Sequence, residues 1–424
     1  MWYRNNKNFI SAFIFVLVLL GSSSAFAQNN TSSPYSYYGL GEISQPVNGK
    51  AAALGGTNLA YRGGSNLNIN NPASLTSLDS MKFVFNVGLT SKTSIMNQKG
   101  KSDTFHDNNF SELSFGFRIS PSVATAIALV PYTNVGYDIA TKEQVAGGTN
   151  EFYQRSLSGT GGLNKFVWST GVSLFKNLSL GVNGIFLFGN NTSNENLTLE
   201  RSSYVYSSQQ QLISRGVYAS FGLQYGHQLL KDWELTVGAN FQPKQGISSK
   251  RKLYVTNYQS NLGDTVYKNT LDRGTFDVPL SYGFGVGMTK NKQLWLGADY
   301  SHEQWSDTKI FTNSNNFVDR NRYSFGMNYI ANDGYATKFL KKLTYRLGAF
   351  YDTGYISVQN DRIKTRGLSF GLGIPMAKQK GMINIAFEFG QMGTTSNDNI
   401  REDYGKFTLE LSLFERWFVK RKYQ

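Results

Sequence analysis

The chain has 424 residues, of which 17% are charged, a formal charge of +14 and no cysteine. Neither a disulfide framework nor a lipid-bearing N-terminal Cys is therefore available. At a mean hydropathy of −0.34, with no run of about eighteen apolar residues beyond the N-terminus, helical membrane spans are excluded.

Residues 1–27 read as a signal peptide. Arg4 and Lys7 precede the apolar run Phe9 to Leu20, and Ala25-Phe26-Ala27 supplies a cleavage site before Gln28. The mature chain is expected outside the cytoplasm of a Gram-negative cell. Residues 28–80 are rich in Gly, Asn and Ala and lack sustained alternation.

From Met81 onward the pattern changes to period two. Ile383, Ile385, Phe387 and Phe389 alternate with Asn384, Ala386, Glu388 and Gly390, and the segment Phe407 to Leu413 alternates without a break. Successive strand residues face opposite sides, so this pattern separates lipid from a polar lumen. The expectation is an all-β transmembrane antiparallel barrel over 81–418, followed by a basic periplasmic tail at 419–424.

About fourteen strands are expected, an even number as in bacterial outer-membrane barrels. They start near Met81, Phe110, Val123, Lys165, Leu178, Gly216, Trp233, Leu280, Leu294, Arg322, Leu343, Gly367, Met382 and Lys406. Short turns, often holding lysines such as Lys231, Lys290 and Lys292, alternate with long polar connections at 91–109, 138–164, 189–212, 245–278, 304–321, 352–366 and 394–404. Short turns belong on the periplasmic side and long loops outside. Ala331 to Lys342 breaks this rule, being long where a short turn is due. Trp417 and Phe418 are the candidates for the terminal assembly signal.

Inward positions are mostly small or polar, among them Asn86, Gly88, Ser220, Gly222, Gly283, Gly285, Ser369 and Gly371. They leave room in the lumen, and residues 28–80 are expected to fill it as a plug. Glu112, Arg118, Arg346, Glu388 and Glu410 also fall on the inward register. They read as solvated lumen pairs, as anchors for the plug or as contacts for a ligand head group. In the third strand, Pro131 lacks a ladder donor and Gly136 adds freedom. Both would interrupt pairing around Tyr132, although Pro131 is equally consistent with a strand that ends near the membrane surface.

The N-terminal segment resembles the hatch of the FadL-type outer-membrane transporters, channels for long-chain fatty acids and aromatic hydrocarbons. The likeness rests on Gly39-Leu40-Gly41, on Ala53-Leu54-Gly55-Gly56-Thr57-Asn58-Leu59-Ala60-Tyr61 and on Asn71-Pro72-Ala73-Ser74-Leu75 just before the first strand. It implies a monomeric fourteen-stranded barrel with a hatch-blocked lumen. It also implies a hydrophobic ligand that enters from outside and leaves sideways beside a kinked third strand at Pro131, Tyr132 and Gly136.

No enzyme, metal or cofactor chemistry is expected. His106, His227 and His302 are widely separated. The local group Asp299, Ser301, His302 and Glu303 places Ser301 and His302 on opposite strand faces. Nucleic acid is not an expected partner, because the basic residues are scattered. The expected partners are the lipid bilayer, the barrel-assembly machinery and a small hydrophobic ligand. The leading reading is passive uptake of hydrophobic molecules such as fatty acids. A barrel serving as a partner or anchor in secretion or surface assembly, and a structural or porin-like barrel, stand as alternatives.

Overall fold

The computed structural model describes residues 31–44, 48–144, 151–199, 204–259, 262–310, 313–314, 317–331, 339–376 and 380–416. The expected signal peptide with its site after Ala27, the pair Trp417-Phe418 and the expected basic tail lie outside the described residues.

Fourteen strands form a closed antiparallel wall. In chain order they are strand 1 (Lys82–Gln98), 2 (Lys101–Ser120), 3 (Val123–Gln144), 4 (Phe152–Ser173), 5 (Leu178–Leu199), 6 (Tyr204–Leu230) and 7 (Trp233–Gln242). Then come 8 (Ser281–Lys290), 9 (Leu294–Glu303), 10 (Arg320–Ile330), 11 (Thr344–Asp352), 12 (Thr365–Pro375), 13 (Gly381–Met392) and 14 (Arg401–Arg416). Each pairs with its successor, and strand 14 closes on strand 1 from Lys82↔Arg416 to Asn97↔Arg401. The barrel is therefore a ring with no terminal edge, as a lipid-spanning sheet requires.

Alternation sorts the side chains as the sequence implies. Trp168, Val217 and Leu368 are 60%, 68% and 67% exposed on the outer face, whereas their neighbours Ser169, Tyr218 and Ser369 are buried inside. Lipid-facing rings also meet across strands, as where Phe370 stacks on Phe387 at 5.2 Å.

Four of the long connections are not loops. Most of the described residues of 91–109, 138–164, 189–212 and 245–278, expected to be irregular, continue as strands, so strands 1 to 6 run 17 to 27 residues. Between strands 7 and 8, which pair directly, a rim hairpin (Gln245–Gln259 and Leu262–Val278) rises and pairs with strand 6 from Tyr204↔Gln259 to Arg215↔Ser248. Above the lipid both faces of a strand meet water, so the alternation that marks a spanning strand disappears while the backbone ladder continues. Of the connection Ala331 to Lys342, residues 332–338 lie outside the described residues, and Phe339–Lys342 is a 3-10 turn.

Candidate functional site: the segment against the inner wall and the gap beside strand 3

The described residues of the N-terminal segment, 31–44 and 48–79, pack against inward residues from both sides of the wall. The segment's centre is Asn71. This fully buried side chain caps the 3-10 turn Pro72–Ser77 by accepting from the Ala73 amide. Its amide group donates to the carbonyls of Leu59 at 2.8 Å and Leu223 at 3.1 Å. Pro72 opens the turn where a missing N–H has no cost.

Inner-wall glycines form the seat. A Cβ at Gly171 would stand 2.6 Å from the Pro72 carbonyl, and one at Gly371 would stand 2.5 Å from the Ala53 methyl. At Gly222 it would overlap the Asn71 side chain, at Gly238 the Leu59 carbonyl, and at Gly348 the Gly55 amide. Wall and segment thus touch backbone to backbone.

Carboxylates hold the segment's free amides. Asp299 accepts from Asn58 at 2.7 Å and from Leu59 at 2.9 Å. Glu410 accepts from Gly49, the first residue of the short helix Gly49–Ala52, which Asn48 caps. Behind Glu410, Asn384 donates at 2.8 Å and itself accepts from Arg346, which also bonds Asn328 at 3.0 Å. Glu112 bonds Ser114 and Asn86 nearby. Burial, and then the Arg346 guanidinium, pull the Lys50 ammonium down to about 8. At the short-turn end Arg118 donates to the Leu78 carbonyl at 3.1 Å. Gly55 and Gly56, both at positive φ, turn the chain so that Gly55 donates to Ser369 and accepts from Arg322.

The opposite end is held by ion pairs. Lys92 bridges Glu402 at 2.7 Å and Glu42 at 3.2 Å. Thr31 bonds Glu42, and Ser33 bonds Glu402. Across the lumen Arg320 pairs with Asp352 at 2.6 Å and Glu303 at 2.9 Å, and Lys406 pairs with Glu388 at 3.0 Å. Glu42, Lys92, Arg320, Asp352, Glu388 and Lys406 border a cavity of about 210 Å³, with Ile43, Pro131 and Phe350 as apolar lining.

The wall is interrupted beside Pro131. The ladder between strands 2 and 3 ends at Leu113↔Leu129, although both strands continue. On its other side strand 3 stays paired with strand 4 past Pro131↔Asn164, with one bulge at Tyr132. The segment lies along the vacant edge. Glu42↔Asn134 and Ile43↔Thr133 form a two-residue strand, and Ser44 donates to the Tyr132 carbonyl at 2.9 Å. The Ser36 hydroxyl donates to the Gly136 carbonyl at 2.9 Å and accepts from its amide at 3.0 Å. Gly39 and Gly41, at φ of 65° and 103°, fold the chain there, and Tyr355 donates to the Gly41 carbonyl. Inside the gap lies an apolar cluster that includes Val130, Tyr132, Leu163, Leu187 and Trp305.

The glycines, Asn71-Pro72-Ala73, Glu410 and Arg118 thus meet in contacts of the segment, with Arg346 two hydrogen bonds behind Glu410. Glu112 and Glu388 are inward and buried but do not bond it. On the strand 4 side Gly136 stays opposite Thr160 and the irregularity is the bulge at Tyr132, while on the strand 2 side Gly136 lies beyond the last pair, Leu113↔Leu129. Ser301 and His302 lie on opposite faces, and His302 bonds Asn321 at 2.9 Å. Sequence reasoning missed Asp299 as an anchor, together with Lys92 and Glu402. Glu402 fell in a presumed loop, which has no inward register to read.

The model of the BamG family matches residues 9–424. No curated protein matches. Among solved structures the chain is similar to the toluene transporter TodX of Pseudomonas putida, at 15% identity and a TM-score of 0.59, covering 88% of this chain and 99% of that one. It is similar to the toluene transporter TbuX of Ralstonia pickettii at 16% identity and 0.56, covering 87% and 98%. A FadL homologue of Pseudomonas aeruginosa gives 12% and 0.56, covering 87% and 98%. At such identities the likeness is one of fold, that of the FadL-type barrels. The chain belongs to the BamG family.

Proposed function

We propose that this BamG-family barrel is a monomeric outer-membrane channel for passive uptake of small hydrophobic molecules, fatty acids or related compounds, and not an enzyme. In this reading the N-terminal segment is a hatch, and the break between strands 2 and 3 is a lateral exit to lipid. The observation that carries it is the end of that ladder at Leu113↔Leu129 beside an apolar cluster. Unpaired backbone at membrane depth is costly, so the break persists because Ser36 and Glu42 to Ser44 satisfy it. Withdrawing them opens a path lined by Pro131 and Tyr132. An apolar solute entering there gains roughly 0.8 kcal/mol per buried methylene. The likeness to toluene transporters supports the substrate class.

The test is uptake of a hydrophobic probe by cells carrying Pro131→Val or Gly136→Leu. Both variants are expected to insert normally and lose uptake. Wild-type uptake by both would remove the lateral exit.

A second reading is a partner or anchor in secretion or surface assembly, with the barrel-assembly machinery as the first partner to test. It is favoured by the tall rim sheet and by the charge-lined cavity, which is small for a greasy solute. Depletion of the chain would then lower other outer-membrane proteins while probe uptake stayed unchanged.

A further inference from the structure

We infer that the outward face of the rim hairpin and strand 6 binds the phosphate groups of outer-leaflet glycolipid. Facing is fixed by the ladder. The hydroxyls of Ser214 and Ser249 meet at 2.8 Å in the buried interior, so the alternate residues Ile213, Arg215, Ser248 and Lys250 point outward. Lys250 stands between Ile213 and Arg273, Lys252 lies one outward step higher, and Lys268 is level with Tyr254, its ammonium 5.6 Å from that ring.

Arg215, Lys250, Lys252, Lys268 and Arg273 thus share one face, and among the described residues none of them has a carboxylate partner. Asp277, on the same face, is paired to Lys244 at 3.4 Å, and Asp272 turns inward to Arg251 at 2.8 Å. Lys250 opposite Arg273 is a like-charge cross-strand pair, which destabilises a ladder unless an anion lies between.

The location selects the anion. On strand 6 the outward residues below Arg215 include Val217, Phe221, Leu223 and Tyr225, exposed by 68%, 47%, 39% and 44%, with Ala219 among them, which is the lipid band. Arg215 is one outward step, about 7 Å, above Val217. The basic face therefore begins where acyl chains give way to head groups and climbs about 20 Å to the level of Lys268. A phosphorylated, acylated saccharide offers anions over that height. A soluble polyanion has no reason to prefer the membrane boundary. The inference rests on the reading that the long strands project outward from the outer membrane.

The full chain in zwitterionic micelles is titrated with bisphosphorylated lipid A, with its dephosphorylated counterpart and with soluble polyphosphate. Lipid A is expected to bind best. The variant Lys250→Ser/Lys252→Ser/Arg273→Ser should weaken it about a hundredfold, and the exposed single change Lys268→Ser about fivefold. Heat-modifiable gel mobility confirms that each is folded. Equal binding by wild type and the triple variant, or of the dephosphorylated lipid, would overturn the inference. Polyphosphate binding as tight as lipid A would assign the face to a soluble acidic partner instead. Sidedness has its own readout: Thr270→Cys labelled on intact cells by an impermeant maleimide. Absent labelling would sink the outward orientation and with it the outer-leaflet assignment, whatever the micelle titration gives.

Discussion

The amide of Ser44 donates to the carbonyl of Tyr132 at 2.9 Å, so the strand edge that strand 2 leaves vacant is completed by the chain's own N-terminal segment. The gap and its closure are one structure. The proposed lateral exit would release only this short ladder and a few side-chain bonds and would leave the fourteen-stranded ring intact.

Ile43 and Thr133 are Cα partners across that short ladder, within the spacing a disulfide spans, and the chain has no cysteine to interfere. The double variant Ile43→Cys/Thr133→Cys is expected to cross-link on oxidation, lose uptake of a hydrophobic probe and regain it with dithiothreitol. Uptake that persists in the oxidised form would separate transport from this gap.

Asn71→Ala deletes the bonds to the Leu59 and Leu223 carbonyls and the cap on Ala73. Buried polar groups left unpaired cost about 1–3 kcal/mol each. Limited proteolysis of the folded barrel should cut within residues 48–80 much faster than in wild type, with unheated gel mobility unchanged.

Gly238→Val places a branched side chain where the Leu59 carbonyl now lies. Overpacking costs about 1–3 kcal/mol, and here the segment must yield, because the Gly238 backbone is fixed between strands 6 and 8. Planar-bilayer conductance is the measurement, with a rise over wild type expected and an unchanged trace counting against a lumen-blocking segment.

Lys92→Met strands Glu42 and the buried Glu402 without their cation. Breaking such a pair from one side costs about 3–5 kcal/mol. Denaturant midpoints should fall accordingly, and Lys92→Met/Glu402→Gln should recover part of the loss. A double variant no more stable than the single one would mean that the pair is not coupled.

Much of the wall was legible because lipid enforces period two: Val217 and Tyr218, or Leu368 and Ser369, cannot trade faces. The rim was not legible. At Gln209, Lys252 or Asn194 both faces are wet, and polar residues then carry no register, so strands read as loops. For the segment, Asn71-Pro72-Ala73 and the glycine pairs mark turns by local chemistry, and the inward glycines signalled an occupied lumen. Asp299, Lys92 and Glu402 act across long stretches of chain, and nothing local in the sequence states which amide or ion each will meet. Gly136 lies where the ladder to strand 2 has already ended, and its amide and carbonyl both bond the Ser36 hydroxyl, a partner from far along the chain that no local pattern names.

The pairing of strand 1 with strand 14 also sets an order of events. The segment is synthesised first, yet Glu410, which holds Gly49, sits on the strand made last. Inward glycines bring the wall into close contact with Leu59 and Asn71, so the seat is built from strands around the ring, the last one included. The arrival of the last strand therefore both shuts the ring and supplies the carboxylate that holds Gly49. A chain cut short before residue 401 would lose enclosure and cargo in the same step.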